Sequence, residues 1–241
     1  MTTRGFDWTV LWSGQSGQWL LQGIATTLEI SALAWLIALV LGTLAGALRT
    51  AAPGPLRLLA ACYVEFFRNV PLLVWMFFWY FALPPLLPRP LQDWLYNHGA
   101  EFWAGTMALG VYHGARFSEM IRAGIQSIPK TQLEAALSTG LSAGQAYRLV
   151  ILPIALRLIV PPLTNETLNL LKNSSVALTI GVAELTFQTR QIETYTARAF
   201  EALTAGTLIY LVLCLTIAWV MARVERRFAL PGMIAGGGME R

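Results

Sequence analysis

From Ile24 to Leu48 the chain carries a single charged residue, Glu29. About twenty apolar residues in helical form cross the roughly 30 Å of bilayer hydrocarbon, so this run can span a membrane, and Thr204 to Ala222 repeats the pattern without any charge. Lipid offers no water to backbone amides and carbonyls, which forces such runs into helices. Composition closes off the soluble alternative. Of 241 residues, 56% are hydrophobic and 12% are Asp, Glu, Lys or Arg, about half the charge of an ordinary soluble domain and too little to cover so apolar an interior. The predicted fold class is all-α, a polytopic membrane protein with about five transmembrane helices.

Between those two runs the sequence predicts three more. Leu58 to Leu83 is interrupted by Glu65, Arg68, Asn69 and Pro71, and reads as one helix kinked where the proline removes a hydrogen bond. Trp103 to Ile121 is a third span, polar at its far end through His113, Arg116 and Glu119, and Leu149 to Leu171 is a proline-interrupted fourth. Gly42 and Gly46 lie one turn apart on the first span and offer a neighbouring helix a close approach. Thr50 to Pro55 is a short Pro/Gly loop, and Pro84 to Glu101, with Trp94 and Tyr96, reads as an external loop on the bilayer surface.

The net charge is +4. Its basic residues form no continuous stripe, which argues for topology and against nucleic-acid binding. Arg49, Arg57, Arg122, Lys130, Arg148, Arg223, Arg226 and Arg227 flank one side of the spans; Arg4, Arg89, Arg190 and Arg198 flank the other. The richer side marks the cytoplasm. The amino terminus is then outside, with 1–19 a periplasmic segment, 20–227 the transmembrane domain and 228–241 a cytoplasmic tail containing flexible Gly236 to Gly238. Residues 1–19 lack the basic start and short apolar core of a cleaved signal peptide. Cys62 and Cys214 sit in apolar runs and read as buried free thiols.

About twenty-five polar residues separate the third span from the fourth. Thr131 and Glu134 have the spacing of a capping box, as do Ser142 and Gln145; Gly140 between them suits the left-handed turn that ends a helix. The segment reads as a short helix, a sharp turn and a second helix returning to the bilayer, with an ordinary cytoplasmic loop as the alternative.

These residues carry a resemblance. Glu134, Ala135 and Ala136, then Gly140 after three residues, then Val150, Leu152 and Pro153 after nine resemble the cytoplasmic signature of ABC-type importer permeases, with Val150 in place of isoleucine. Further stretches are similar to the polar amino-acid branch: Tyr63 to Leu72, Glu119 to Ser127, and Asn169 to Ser174. Arg49 and Thr50, Phe67 to Pro71, and Val160 to Pro162 most resemble permease subunits for glutamate and aspartate. The resemblance runs from about Leu20 to Arg227. It implies a non-enzymatic, pore-forming inner-membrane subunit in which Glu134, Ala135, Ala136 and Gly140 meet a cytoplasmic ATPase dimer. A second permease subunit, identical or homologous, completes the pore, and a periplasmic binding protein delivers an acidic amino acid. The residues agree on one point: only Lys130 and Lys172 are present, and neither stands in a phosphate-binding Gly-x-x-x-x-Gly-Lys loop. ATP is therefore a cofactor of the partner, with none on this chain.

Charges inside spans need a partner or a pore. Arg116 and Glu119 are neighbours on one helical face, and read either as an internal ion pair or as substrate ligands. Members of the resembled branch often carry an aromatic residue where this chain has Arg116, and a guanidinium there could clamp a carboxylate with two hydrogen bonds. Asn165, Asn169 and Lys172 share a face of the fourth span, to line the pathway or to bond neighbouring helices; Asn173 and Ser174 extend the candidate set. Glu166 opposes an acidic ligand unless paired. Arg68 and Asn69 form either a second polar element or a hinge. His98 and His113 read as hydrogen-bonded side chains. The rival readings are an ion-gradient-driven transporter, disfavoured by the lack of an internal repeat, and a membrane enzyme, for which no nucleophile and base are found.

Overall fold

The computed structural model describes residues 5–228 and, among these, consists of helices and their connections. Arg4 and the tail glycines Gly236 to Gly238 lie outside the described residues. Two long helices, α1 (Ser16–Ala51) and α10 (Ala199–Phe228), contain the two charge-poor runs. α5 (Ala100–Gln126) packs along α1, and α8 (Leu152–Asn173) packs against α5 and α10. α1, α8 with its extensions and α10 are long and apolar enough to cross a membrane.

α5 is the exception that explains the architecture. Its sequence carries His113, Arg116, Glu119 and Arg122, yet Ala104, Leu109, His113, Ala115, Phe117 and Ser118 are all buried. A helix wrapped in protein needs no apolar surface for lipid, and so it can carry mid-helix charges that the apolar stretches 30–48 of α1 and 204–222 of α10 lack.

Glycines bring α1 and α5 together. A Cβ on Gly42 would stand 2.4 Å from Phe117 Cβ and 3.0 Å from the Gly114 carbonyl oxygen, one on Gly46 would stand 2.8 Å from Ile121 Cγ2, and one on Gly110 would stand 2.7 Å from Ile37 Cβ. Each helix thus presents small residues where the other presents branched or aromatic ones, as the Gly42/Gly46 spacing predicts. Dispersion across so short a gap is the main force holding helices together where lipid removes the hydrophobic term.

The second predicted span is not one kinked helix. α2 (Gly54–Arg68) and α3 (Leu72–Phe77, extended by a wide turn to Ala82) are bent from each other by 102°. Pro71 is extended, with ψ 142°, and cannot donate to the carbonyl behind it, so the helix stops at Arg68 and restarts. The fourth span departs in the opposite sense, since α8 continues through Pro161 and Pro162. Membrane helices tolerate such prolines within a packed bundle; the carbonyls that Pro161 and Pro162 leave without a helical donor are those of Arg157 and Leu158, one turn earlier.

Two helices have no counterpart in the sequence reading. α4 (Arg89–Asn97) occupies the predicted external loop, where His98 Nδ1 lies 2.7 Å from the Trp94 carbonyl. α9 (Leu185–Thr196) lies between the last two spans, its first turn capped by the Glu184 carboxylate, which accepts from the amides of Thr186 and Phe187 at 2.8 Å each. Cys62 is exposed and Cys214 half-buried within the chain, contrary to the expectation of buried thiols.

A substitution at the α1–α5 contact should separate packing from composition. Gly42→Ala forces a shift and is expected to cost about 1–3 kcal/mol, lowering the Tm of the detergent-solubilised protein, whereas Gly54→Ala, whose Cβ meets nothing within 4 Å, leaves it within about a degree.

Candidate functional site

The polar centre is assembled from two helices. On α5, Arg116 lies one turn after the adjacent Tyr112 and His113; on α8, Glu166, Asn169 and Asn173 occupy consecutive turns of one side. Glu166 is 2% exposed and His113 is 0% exposed, and a carboxylate this deep survives only if its oxygens are matched. His113 Nδ1 lies 2.8 Å from Glu166 Oε1, Asn169 Nδ2 donates to Glu166 Oε2 at 3.3 Å, and Arg116 Nε stands 3.6 Å from Oε1. Asn173 Nδ2 lies 3.2 Å from His113 Nε2. An ionised Glu166 can only accept, so Nδ1–H donates to it, and Nε2 of the neutral ring then faces the Asn173 amide nitrogen as an acceptor.

Arg116 is the member that also faces outward. Its NH2 donates to the Tyr112 hydroxyl at 2.9 Å and the guanidinium lies 5.0 Å from the Tyr112 ring centroid, yet the side chain is 41% exposed. It opens into a recess of about 220 Å³ shared with Arg68, Asn69, Glu119 and Met120. The guanidinium is therefore oriented by an aromatic face and a buried carboxylate while donors remain for a ligand.

Glu119 does not pair with Arg116. It lies one turn on, where Arg49 NH1 donates to Oε2 at 2.6 Å, Arg122 NH2 bonds Oε1, and Arg68 NH1 approaches to 3.6 Å. This cluster ties α5 to α1 and α2, so an internal ion pair does hold the third predicted span to its neighbours, but through Arg49 in place of Arg116. Around the recess the guanidiniums outnumber the carboxylates, and the field favours an anion.

The other candidates on α8 diverge. Asn165 and Lys172 lie on a face exposed within this chain, and Asn169 is half-buried beside Glu166. Ser174 is buried, its hydroxyl donating to the Leu171 carbonyl at 2.7 Å. His113 is hydrogen-bonded, as its sequence context predicts, whereas Tyr112 and Arg157 are absent from the predicted candidates. The i,i+3 spacing of His113 with Arg116 and of Glu166 with Asn169 was the signal that could have joined them. Arg157, exposed in the first half of α8, is a charge within a span and qualified by the rule applied to Arg116.

At the far end of α5 a Ser127–Pro129 turn leads into α6 (Lys130–Ser138), followed by Gly140 at φ 88°, the short helix α7 (Ala143–Ala146) and a wide turn through Ile151 into α8. The second capping box is formed: Ser142 N donates to Gln145 Oε1 at 2.9 Å and Gln145 N to Ser142 Oγ at 3.4 Å. The first is not. α6 begins at Lys130 with Pro129 as its N-cap and no side-chain cap, so the helix has already started one residue before Thr131, which therefore cannot serve as the cap. Glu134 and Ala135 are therefore exposed and uncommitted, while Ala136 is 6% exposed and packs inward.

Removing one partner of the buried pair should cost far more than removing both. His113→Phe is expected to destabilise the protein by about 3–5 kcal/mol by leaving Glu166 underpaired, and Glu166→Met added to it to recover most of that loss, as measured by thermal unfolding in detergent.

Comparison with known proteins agrees with this geometry. Residues 38–230 match the family described as "Binding-protein-dependent transport system inner membrane component". The chain is 43% identical over 222 residues to the glutamate/aspartate import permease protein GltJ of Escherichia coli (strain K12), covering 90% of each chain. It is 36% identical over 225 residues to the glutamine transport system permease protein GlnP of the same organism, covering 93% of this chain and 99% of that one. Among solved structures, the crystal structure of an amino acid ABC transporter with histidines aligns with a TM-score of 0.80 and 33% identity, over 94% of this chain and 100% of that chain. With its polar α5–α8 centre and its projecting α6, the chain belongs to the family of inner-membrane components of binding-protein-dependent transport systems.

Proposed function

We propose that this chain is the permease subunit of an ATP-driven importer for acidic amino acids, glutamate and aspartate foremost. The observation that carries the reading is Arg116: a guanidinium half open to a recess, braced by Tyr112 and by a Glu166 whose charge is already matched by His113 and Asn169. That bracing answers the objection that Glu166 repels an acidic ligand. The side-chain carboxylate of the substrate takes the free donors of Arg116 in a bidentate bond, and selectivity over lysine and arginine follows from like-charge repulsion. The similarity to a glutamate/aspartate permease supports the same substrate class.

The topology proposed with this function has residues 20–227 crossing the membrane about five times, α2 and α3 together making one broken crossing, with the amino terminus periplasmic and α6 cytoplasmic. α6 then serves as the contact for an ATPase dimer. Exposed Glu134 and Ala135 meet the ATPase, Gly140 permits the turn, and Ala136 anchors the helix to the bundle. Because α6 joins α5 through a proline and α8 through a capped helix, its displacement moves both helices that build the polar centre. Binding and energy input are thus connected through the same two elements, in an alternating-access cycle. A second permease subunit and a periplasmic binding protein complete the importer, and ATP is hydrolysed by the partner.

A glutamine-type substrate is the second reading, favoured by the 36% identity to a glutamine permease and by the presence of a carboxylate at the site. Uptake separates the two. Arg116→Ala is expected to lower uptake of labelled glutamate at limiting concentration more than tenfold while the importer complex still assembles, and unlabelled aspartate should compete in the wild type where glutamine does not. Near-normal glutamate uptake by Arg116→Ala, or competition by glutamine alone, contradicts the acidic assignment.

A further inference from the structure

A cavity of about 580 Å³ lies behind α6, enclosed by the last turns of α1 and α5, by α6 itself and by the turn leading into α8. It is a different space from the Arg116 recess, and none of the residues lining it belongs to that centre. Its walls are mostly apolar, from Ala47 and Ile125 to Leu133 and Leu152, with Thr50 and Gln126 as neutral polar members and Lys130 and Arg148 as the charged ones. Neither cation forms an ion pair among the described residues. An apolar slot of this volume falls within the usual range of ligand-binding clefts. Here it sits where membrane-crossing helices end and bears two unmatched positive charges.

We propose that this cavity binds an anionic phospholipid, with acyl chain in the slot and phosphate at Lys130 and Arg148. The chemistry selects the ligand. A soluble metabolite would leave the apolar walls wet, and a neutral lipid would leave both cations unmatched, whereas a phosphate-bearing lipid satisfies walls and charges together. Both connections of α6 line the site, through Pro129 on one side and Tyr147 and Ile151 on the other. The lipid therefore wedges the helix against the bundle and stiffens the path from α6 to α5 and α8. The assignment to the inner leaflet rests on the topology proposed above; the binding chemistry does not.

The test uses the purified importer complex, exchanged into mixed phosphatidylglycerol and phosphatidylcholine and then delipidated, with retained lipids counted by native mass spectrometry. The wild type should keep phosphatidylglycerol preferentially. The double variant Lys130→Gln, Arg148→Gln should lose that preference, by about fivefold for each charge removed. Gly144→Phe tests the slot with both charges intact. Gly144 lines the cavity and a Cβ there meets nothing within 4 Å, so the ring can occupy the space without displacing the backbone, and retention should again fall. Equal phosphatidylglycerol retention by all three proteins overturns the proposal, as does an assembled complex in which an ATPase side chain fills the cavity. Labelling of Ser138→Cys with a membrane-impermeant thiol reagent from either side tests the topology alone. An external label removes the inner-leaflet assignment while leaving the lipid count to decide the site.

Discussion

A buried carboxylate with three matched neighbours organises this molecule. Glu166 lies in protein, away from water, and its charge is tolerable only because His113, Asn169 and Arg116 converge on it. That requirement fixes the rotation of α5 against α8: turning either helix by one residue, about 100° at 3.6 residues per turn, would strand the charge. The glycine contact between α1 and α5 sets the second constraint, by closing the opposite side of α5 to within backbone distance. Between them a polar helix is held at the centre of an apolar bundle, and its remaining guanidinium is left with donors to spare.

The polar centre and α6 are joined by the same two helices. α5 supplies the polar centre from its middle and α8 from its second half, and both continue, at the other end, into the two connections of α6. Force applied to α6 has no flexible linker in which to dissipate, since Pro129 on one side and the Ser142–Gln145 box on the other restrict the backbone. Gly140, at a positive φ that other residues rarely adopt, is the one sharp reversal between them.

Much of this was legible in the amino-acid order. Charge-poor runs announce α1 and α10, because lipid tolerates nothing else there, and the Gly42/Gly46 pair announces a close neighbour. The turn at Gly140 and the cap at Ser142 follow from local chemistry that acts within four residues. What was not legible depends on three-dimensional surroundings. Pro71 and Pro161 each interrupt an apolar run in sequence, yet one ends a helix and the other does not, a difference that local chemistry does not encode. Arg116 and Glu119 share a helix face, but Arg49, some seventy residues away in the chain, claims Glu119. The pairing of His113 with Glu166 spans 53 residues and has no local trace. α4 and α9 escaped notice because neither is long or apolar enough to resemble a span.

The account stands or falls on where an acidic amino acid rests in the assembled importer. A structure of the complex, determined with glutamate bound in the permease, is expected to show the ligand's side-chain carboxylate within hydrogen-bonding distance of the Arg116 guanidinium, with His113 still on Glu166. Glutamate bound elsewhere along the pathway, with Arg116 fully engaged by Glu166 and Tyr112, would contradict it.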